Sequence, residues 1–157
     1  MIDKRYYAFD TEYKKIAREI TTPVSIFSSH TSAEGKCVET YAVWDTGATH
    51  SVLSPKIVQD LDLFPIDTCI VRGINHDQIS DIVIASICIT SDLLLTGKRF
   101  SVNNIPGADV LLGMDIITMG DFIINNAEGQ TLFSFVIPPF KDKISFSKKA
   151  DGLNNKE

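Results

Sequence analysis

The chain has 157 residues, which is enough for one domain with a hydrophobic core and short for two. Hydrophobic residues make up 44% and charged residues 22% of the sequence, as in typical globular proteins. The net charge of −5, without a long Lys/Arg cluster, argues against nucleic-acid binding. No apolar stretch reaches the about 20 residues of a membrane span, and no apolar run follows Met1, so we expect a cytoplasmic protein without nucleic-acid or membrane partners.

The first segment carries apolar side chains at alternating steps of three and four residues, which is typical of one stripe on a helix. These side chains belong to Tyr6, Phe9, Tyr13, Ile16 and Ile20. A proline at position 23 then ends the pattern, because the residue before proline avoids helical backbone angles. We therefore predict an N-terminal extension over residues 1–21 that contains a short amphipathic helix.

From residue 22 to residue 140 the pattern changes to extended runs separated by turn signals. The runs predicted as strands are 24–27, 38–43, 49–53, 68–71, 79–89, 93–95, 99–102, 122–124 and 131–137. Residues 72–77 form the tip of a long hairpin in this interpretation, and Thr96-Gly97-Lys98 forms a turn. Many short strands indicate an all-β, closed domain, whereas the polar residues 141–157 are predicted to be a disordered tail.

Two short helices are expected within this domain. Ser54 is a capping residue and Pro55 suits the first helical position, so a helix is predicted from there to Leu61. The apolar run 110–112 is closed by a glycine and followed by a second short helix, 114–119, which Gly120 ends.

Cysteines and histidines give no sign of a metal site. Cys37, Cys69 and Cys88 cannot all pair within one chain, and their spacing is unlike a metal-binding knuckle. The histidines are scattered, without a pair spaced to hold zinc on one helix face. We expect free core thiols, no metal and no cofactor.

Asp45 is the carboxylate that the sequence singles out. It follows the apolar residues Val43 and Trp44 and enters a loop of small residues, Thr46-Gly47-Ala48. Glycine allows a close backbone approach and threonine supplies a hydroxyl donor, so such a loop presents a carboxylate to a ligand. As a bare tripeptide, Asp-Thr-Gly is also an ordinary turn after a strand.

Three segments together resemble the retropepsin-like (retroviral-type) aspartic proteases, especially their bacterial members. They are Ala42-Val43-Trp44-Asp45-Thr46-Gly47-Ala48-Thr49, Val71-Arg72-Gly73-Ile74 and Val110-Leu111-Leu112-Gly113-Met114-Asp115. Their order and spacing fit over roughly residues 24 to 137. The resemblance implies a closed barrel with a flap hairpin that acts as a symmetric homodimer on a protein or peptide substrate.

The resemblance also implies roles for individual residues. Asp45 would be the general acid/base for the water that attacks the peptide carbonyl, and Thr46 would lock the two active-site loops together across the dimer. Residues Leu112 and Gly113 are expected to be structural. The residues expected to bind substrate, from the cleft floor, the flap and a side-chain pocket, are Gly47, Ala48, Thr49, Gly73, Ile74 and Leu111.

The number of Asp-Thr-Gly sequences implies the oligomeric state. Peptide hydrolysis of this type uses two adjacent carboxylates that share one proton, because like charges so close cannot both ionise. The chain has one Asp-Thr-Gly, since Leu95-Thr96-Gly97 lacks the acid. A two-fold axis would supply Asp45 from each of two chains.

Two other functions stay open on sequence grounds. One is a non-catalytic peptide-binding or dimerisation module on the same fold, and the other is a monomeric β-barrel that binds a small molecule at Asp45. His50, five residues after Asp45, is close enough in sequence to tune the site electrostatically, but it is expected to point away from the site along a strand. Asp115 is expected to be a charge at a helix N-terminus, where the helix dipole favours it.

Overall fold

The computed structural model describes residues 5–28, 35–72 and 77–154. The strands are β1 (Tyr7–Tyr13), β2 (Thr21–Phe27), β3 (Cys37–Trp44), β4 (Val52–Leu53), β5 (Asp67–Arg72), β6 (Asp77–Thr90), β7 (Leu93–Val102), β8 (Val110–Leu112), β9 (Asp121–Asn125) and β10 (Thr131–Ile137). The α-helices are α1 (Pro55–Asp60), α2 (Met114–Ile117) and α3 (Phe146–Asn154), and Ala127–Gly129 form a 3₁₀ turn.

Most of the strands close into a barrel, as the sequence pattern predicts. The hydrogen-bonded order is β2-β3-β8-β4-β7-β6, and pairing of β2 with β6 completes a ring of six strands. Strand β5 pairs with the first part of β6, residues 77–82, before the part of β6 that pairs with β2. Alternation of buried and exposed residues, clearest along β2, sends Val24 and Ile26 into the hydrophobic core, which also contains Phe100 of β7.

A second sheet packs against the barrel. Its order is β1-β10-β9, and all its pairings are antiparallel. Aromatic rings join it to the barrel, because Phe133 and Phe135 of β10 and Phe9 of β1 surround the Trp44 indole. The indole centroid lies 4.9 and 4.8 Å from the centroids of Phe133 and Phe135. This packing fixes the end of β3, where the Asp-Thr-Gly loop begins.

The expected N-terminal helix is wrong, because residues 7–13 form strand β1. The strand pairs with β10 from Tyr7 opposite Ile137 to Tyr13 opposite Thr131. Alternate residues of β1, among them Phe9, face the aromatic cluster. The apolar residues of this segment therefore also fit the two-residue period of a strand, besides the steps of three and four that suggested a helix. Pairing with β10, more than 100 positions away in the sequence, stabilises the extended form over the helix.

The turn expected at residues 96–98 is also wrong, because β7 runs unbroken through it. The chain turns instead at residues 91–92, between β6 and β7. Gly97 has a positive φ of 61°, near a shift in the β6–β7 register between Ala85 and Ile87. The glycine therefore accompanies a β-bulge, which a glycine signal in a strand can equally indicate.

The tail expected to be disordered contains α3. The helix brings Phe146, Ala150 and Leu153 to one side and has no buried residue. The sequence analysis did not predict this helix, because most residues of the tail are polar and the apolar stripe is short. Residues 155–157 lie outside the described residues, as do residues 73–76 of the predicted hairpin tip, 72–77, whereas Arg72 ends β5 and Asp77 begins β6.

Both helices expected inside the barrel domain are present. The Ser54 hydroxyl accepts a hydrogen bond from the Ile57 N–H at 3.3 Å and so caps α1, which begins at Pro55 as predicted. α2 follows β8 directly. Across the described residues, no helix is both long and apolar enough to cross a membrane.

Candidate active site

Asp45 leaves the end of β3 at a firmly held point. The preceding residue, Trp44, donates its indole Nε1–H to the buried Thr22 hydroxyl at 2.9 Å, and its backbone N–H to the Ile20 carbonyl at 2.9 Å. Asp45 is itself half-buried, and its N–H donates to the Leu112 carbonyl of β8 at 2.9 Å. The backbone of Asp45 is therefore fixed by the barrel.

The loop orients the Asp45 carboxylate through its own backbone. Oδ1 accepts a hydrogen bond from the Gly47 N–H at 2.8 Å, and the Ala48 N–H donates to the Asp45 carbonyl at 3.2 Å. A Cβ on Gly47 would lie 3.1 Å from Oδ1, so glycine provides the room for this arrangement. Within the described part of the chain no group donates to Oδ2, which leaves that oxygen open to a ligand.

The loop that follows β3, residues 45–51, crosses the end of β8 and is hydrogen-bonded to the first residues of α2. β3 runs parallel and β4 antiparallel to β8, so the connection between them, residues 45–51, must pass over the point where α2 begins. There the N–H groups of Met114 and Asp115 donate to the carbonyls of Ala48 and Thr49 at 2.8 and 3.2 Å. The loop carbonyls thus satisfy donors that a helix N-terminus leaves without internal partners.

Ser51 ties the end of the loop to the same helix. Its fully buried hydroxyl accepts from the Gly113 N–H at 3.0 Å and donates to Asp115 Oδ1 at 2.8 Å. Asp115 Oδ1 also accepts from the Ile116 N–H at 3.0 Å. Asp115 occupies the first turn of α2 as expected, but its bond to Ser51 was not predicted, because the two residues are 64 positions apart.

Gly113 packs directly against the backbone of the loop. A Cβ there would come within 2.7 Å of the His50 carbonyl carbon and oxygen and within 2.9 Å of the Ala48 carbonyl oxygen. Backbone atoms cannot rotate away as a side chain can, so only glycine fits. Of the other residues in this motif, Leu112 is buried and Leu111 is half-buried, opposite Val43 in β3.

Two cavities flank the loop. The first, of about 370 Å³, lies beside Asp45 and is lined by Arg18, Glu19, Ile20, Val43, Trp44, Asp45, Thr46, Ile117, Phe122, Ile124 and Phe133. The second, of about 520 Å³, is lined by His50, Cys69, Ile82, Gly97, Lys98, Arg99, Phe100, Ser101 and Asp115. His50 is exposed and precedes β4, so it lies at this second cavity and not on a strand as expected.

The structure brings Asp45, Thr46, Gly47, Ala48 and Thr49 together in one loop against β8 and α2. Of the three remaining residues expected to bind substrate, those at positions 73 and 74 lie outside the described residues. Leu111 is not among the residues that line either cavity.

The cysteines are free thiols but are not core residues. Cys37 is exposed, and Cys69 and Cys88 are half-buried. Partial burial raises the pKa of the Cys88 thiol, although its Sγ also donates to the Thr90 carbonyl. In residues 5–28, 35–72 and 77–154, no three His, Cys, Asp or Glu side chains are grouped to hold a metal ion.

Comparison with solved structures agrees with this architecture. A retropepsin-like aspartic protease from Rickettsia conorii matches with a TM-score of 0.50 and 14% identity, over 87% of this chain and 98% of that chain. The simian foamy virus (mac) protease gives 0.39 and 20% identity, over 60% and 89% of the two chains. The retroviral protease-like domain of Ddi1 from Leishmania major gives 0.47 and 14% identity, over 75% and 95%.

No protein-family model and no curated protein sequence matches the chain. The fold assignment therefore rests on the Rickettsia structure, which the chain matches over most of both lengths. The chain has the retropepsin-like fold, as the sequence resemblance implied. At this identity the likeness shows the fold, and the chemistry must be argued from the site.

Proposed function

We propose that the protein is an aspartic endopeptidase in which Asp45 and the Asp45 of a second copy form the catalytic dyad. The observation that carries this proposal is the Asp45 carboxylate, held on Oδ1 by the Gly47 N–H with Oδ2 open, beside a cavity on a retropepsin-like fold. A carboxylate fixed in this way can orient and deprotonate a water molecule without reorganising.

The reaction follows from two such carboxylates sharing one proton. The ionised partner takes a proton from water as the water attacks the peptide carbonyl, while the protonated partner donates to the carbonyl oxygen. Collapse of the tetrahedral intermediate then passes a proton to the leaving amine. No covalent bond forms between the enzyme and the substrate.

The surrounding residues have supporting roles in this proposal. Thr46 joins the two loops across the dimer, and Gly47, Ala48 and Thr49 contact the substrate backbone from the cleft floor. Gly73 and Ile74 close over the peptide as the flap, and Leu111 shapes a side-chain pocket. Cytoplasmic localisation stays a prediction.

Cleavage profiling on a diverse peptide library tests the proposal. Asp45→Asn should abolish cleavage while leaving a folded dimer, because the amide cannot act as the base. Asp60→Asn, at an exposed carboxylate at the end of α1, is the matched control and should cleave like wild type. Identical products from Asp45→Asn and wild type would refute the assignment of Asp45.

The same profiling separates the enzyme from the non-catalytic alternative. A wild-type protein that binds library peptides and cuts none, at mildly acid or neutral pH, would favour a peptide-binding module. Sedimentation at micromolar concentration addresses the small-molecule alternative, since that function needs only a monomer.

A further inference from the structure

The second cavity beside the Asp45 loop is not used by the proposed chemistry. Its lining includes His50 from the loop, Cys69 from β5 and Ile82 from β6. β5 and β6 are the two strands of the hairpin whose tip is expected to be the flap. The cavity therefore lies between the loop and the hairpin, the two parts that hold a peptide in the proposed function.

The charged side chains that line this cavity, apart from His50, are Lys98, Arg99 and Asp115. Arg99 is already paired, because its Nη2 donates to Asp67 Oδ2 at 2.9 Å. Asp67 does not line the cavity, whereas the Asp115 carboxylate does and accepts two hydrogen bonds on Oδ1. The lining thus carries two cations and one carboxylate.

Lys98 is the cation of this lining that has no partner. Its side chain is half-buried, and within the described part of the chain its ammonium group makes neither an ion pair nor a hydrogen bond. Partial burial removes water from an ammonium group, and an anion that binds beside it offsets that cost. A ligand that enters the cavity can supply this anion.

We infer that Lys98 makes the enzyme select substrates with an aspartate or glutamate side chain in this cavity, an inference that rests on the proposed peptidase function. The cavity, of about 520 Å³, has room for such a side chain. Ile82 and Phe100 in its lining offer apolar contacts to the methylene groups. A lysine or arginine in the same place would meet Lys98 and is disfavoured by repulsion.

The location of the cavity sets where the acid should stand in the substrate. Asp45, Thr46 and Gly47 are all described residues, and none of them lines this cavity, so the acid does not flank the cleaved bond. In a symmetric dimer each copy supplies one such cavity, on opposite sides of the two-fold axis. Acids should therefore be enriched both before and after the cleaved bond, away from the two residues that form it.

Pairs of peptides that differ only by Glu against Gln at the enriched position test this preference. Wild type should have a kcat/KM at least about tenfold higher for the Glu peptide, because close charge pairs couple by this much or more. Lys98→Gln should remove the difference and Lys98→Arg should keep it, whereas Lys98→Glu should favour peptides with lysine at that position. Lys148→Glu is the matched control, since this exposed lysine of α3 does not line the cavity, and it should keep the wild-type preference.

Binding supplies a second readout that does not require catalysis. With Asp45→Asn introduced into each protein, the fluorescence anisotropy of labelled Glu and Gln peptides measures affinity without cleavage. The Glu peptide should bind about tenfold more tightly at low salt, and the difference should shrink as the ionic strength rises. Circular dichroism of each variant checks that it is folded.

The outcomes separate this inference from the proposed function. If wild type cleaves the Glu and Gln peptides equally well, or if Lys98→Gln leaves the preference unchanged, Lys98 does not select acids and the protease stands. If no peptide is cleaved but the Glu peptide binds in a manner that depends on Lys98, the endopeptidase is wrong and the preference of the cavity for acids remains. A protein that neither cleaves nor binds any of these peptides would overturn both.

Discussion

Replacing Ser51 with alanine should destabilise the protein although the substitution removes a single oxygen atom. The hydroxyl is fully buried and is the partner of the Gly113 N–H at 3.0 Å and of Asp115 Oδ1 at 2.8 Å. Without it, Gly113 keeps a buried N–H with no acceptor, which costs about 1–3 kcal/mol. Asp115 is exposed, so water can replace its lost donor at little cost.

We therefore expect Ser51→Ala to lower the free energy of unfolding by about 2 kcal/mol. For a chain of this size, that corresponds to a fall in Tm of about 4–8 °C. Urea unfolding followed by the fluorescence of Trp44, the single tryptophan, measures the change at fixed protein concentration.

Ser134→Ala is the matched control for this measurement. The Ser134 hydroxyl also donates to a carboxylate, Asp10 Oδ1 at 2.5 Å, but at the surface. Its loss should change the free energy of unfolding by less than about 0.5 kcal/mol. If the two variants unfold at the same urea concentration, the Ser51 hydroxyl does not join the loop to α2 as described.

Three further predictions concern Gly113, Gly47 and Cys88. Gly113→Ala should lower the free energy of unfolding in urea by about 1–3 kcal/mol, because the new Cβ meets backbone atoms. Gly152→Ala in α3 is the control and should be neutral or slightly stabilising, because a Cβ there has nothing within 4 Å. Equal effects of the two substitutions would contradict the close contact at Gly113. Gly47→Ala should unfold like wild type yet lower kcat on a peptide substrate, because its Cβ would lie 3.1 Å from Asp45 Oδ1; an unchanged kcat would argue against that contact mattering. Because partial burial raises the pKa of the Cys88 thiol, iodoacetamide at pH 8 should alkylate it more slowly in the folded chain than in urea, as mass spectrometry of the peptide containing Cys88 would show.

Local patterns predicted the parts of the fold that neighbouring residues determine. The hairpins of the barrel and the Ser54 cap of α1 depend on short-range alternation and on one side chain, and both are present. Strand β1 was missed because Phe9 and Tyr13 fit a helical and an extended period equally well. Only packing of Phe9 against Trp44 and β10, distant in sequence, favours the extended form.

The candidate site also has one part that the sequence predicts and one part that it does not. Asp45 and its glycine could be identified because their chemistry lies in consecutive residues. The support beneath them could not, because Ser51, Gly113 and Asp115 are brought together by the crossing of the loop over β8. A buried serine shows no periodicity that marks its partner 64 positions away.

The hydrogen bonds between the Asp45 loop and α2 affect how this part of the protein unfolds locally. The amides of Met114 and Asp115 are protected by loop carbonyls, and the loop in turn is held in place by those amides. Neither segment can separate from the other without breaking both bonds. In hydrogen exchange, Met114 and Asp115 should therefore open with the Asp45 loop as one cooperative unit, so the exchange rate at these helix amides reports how often that loop detaches from the helix.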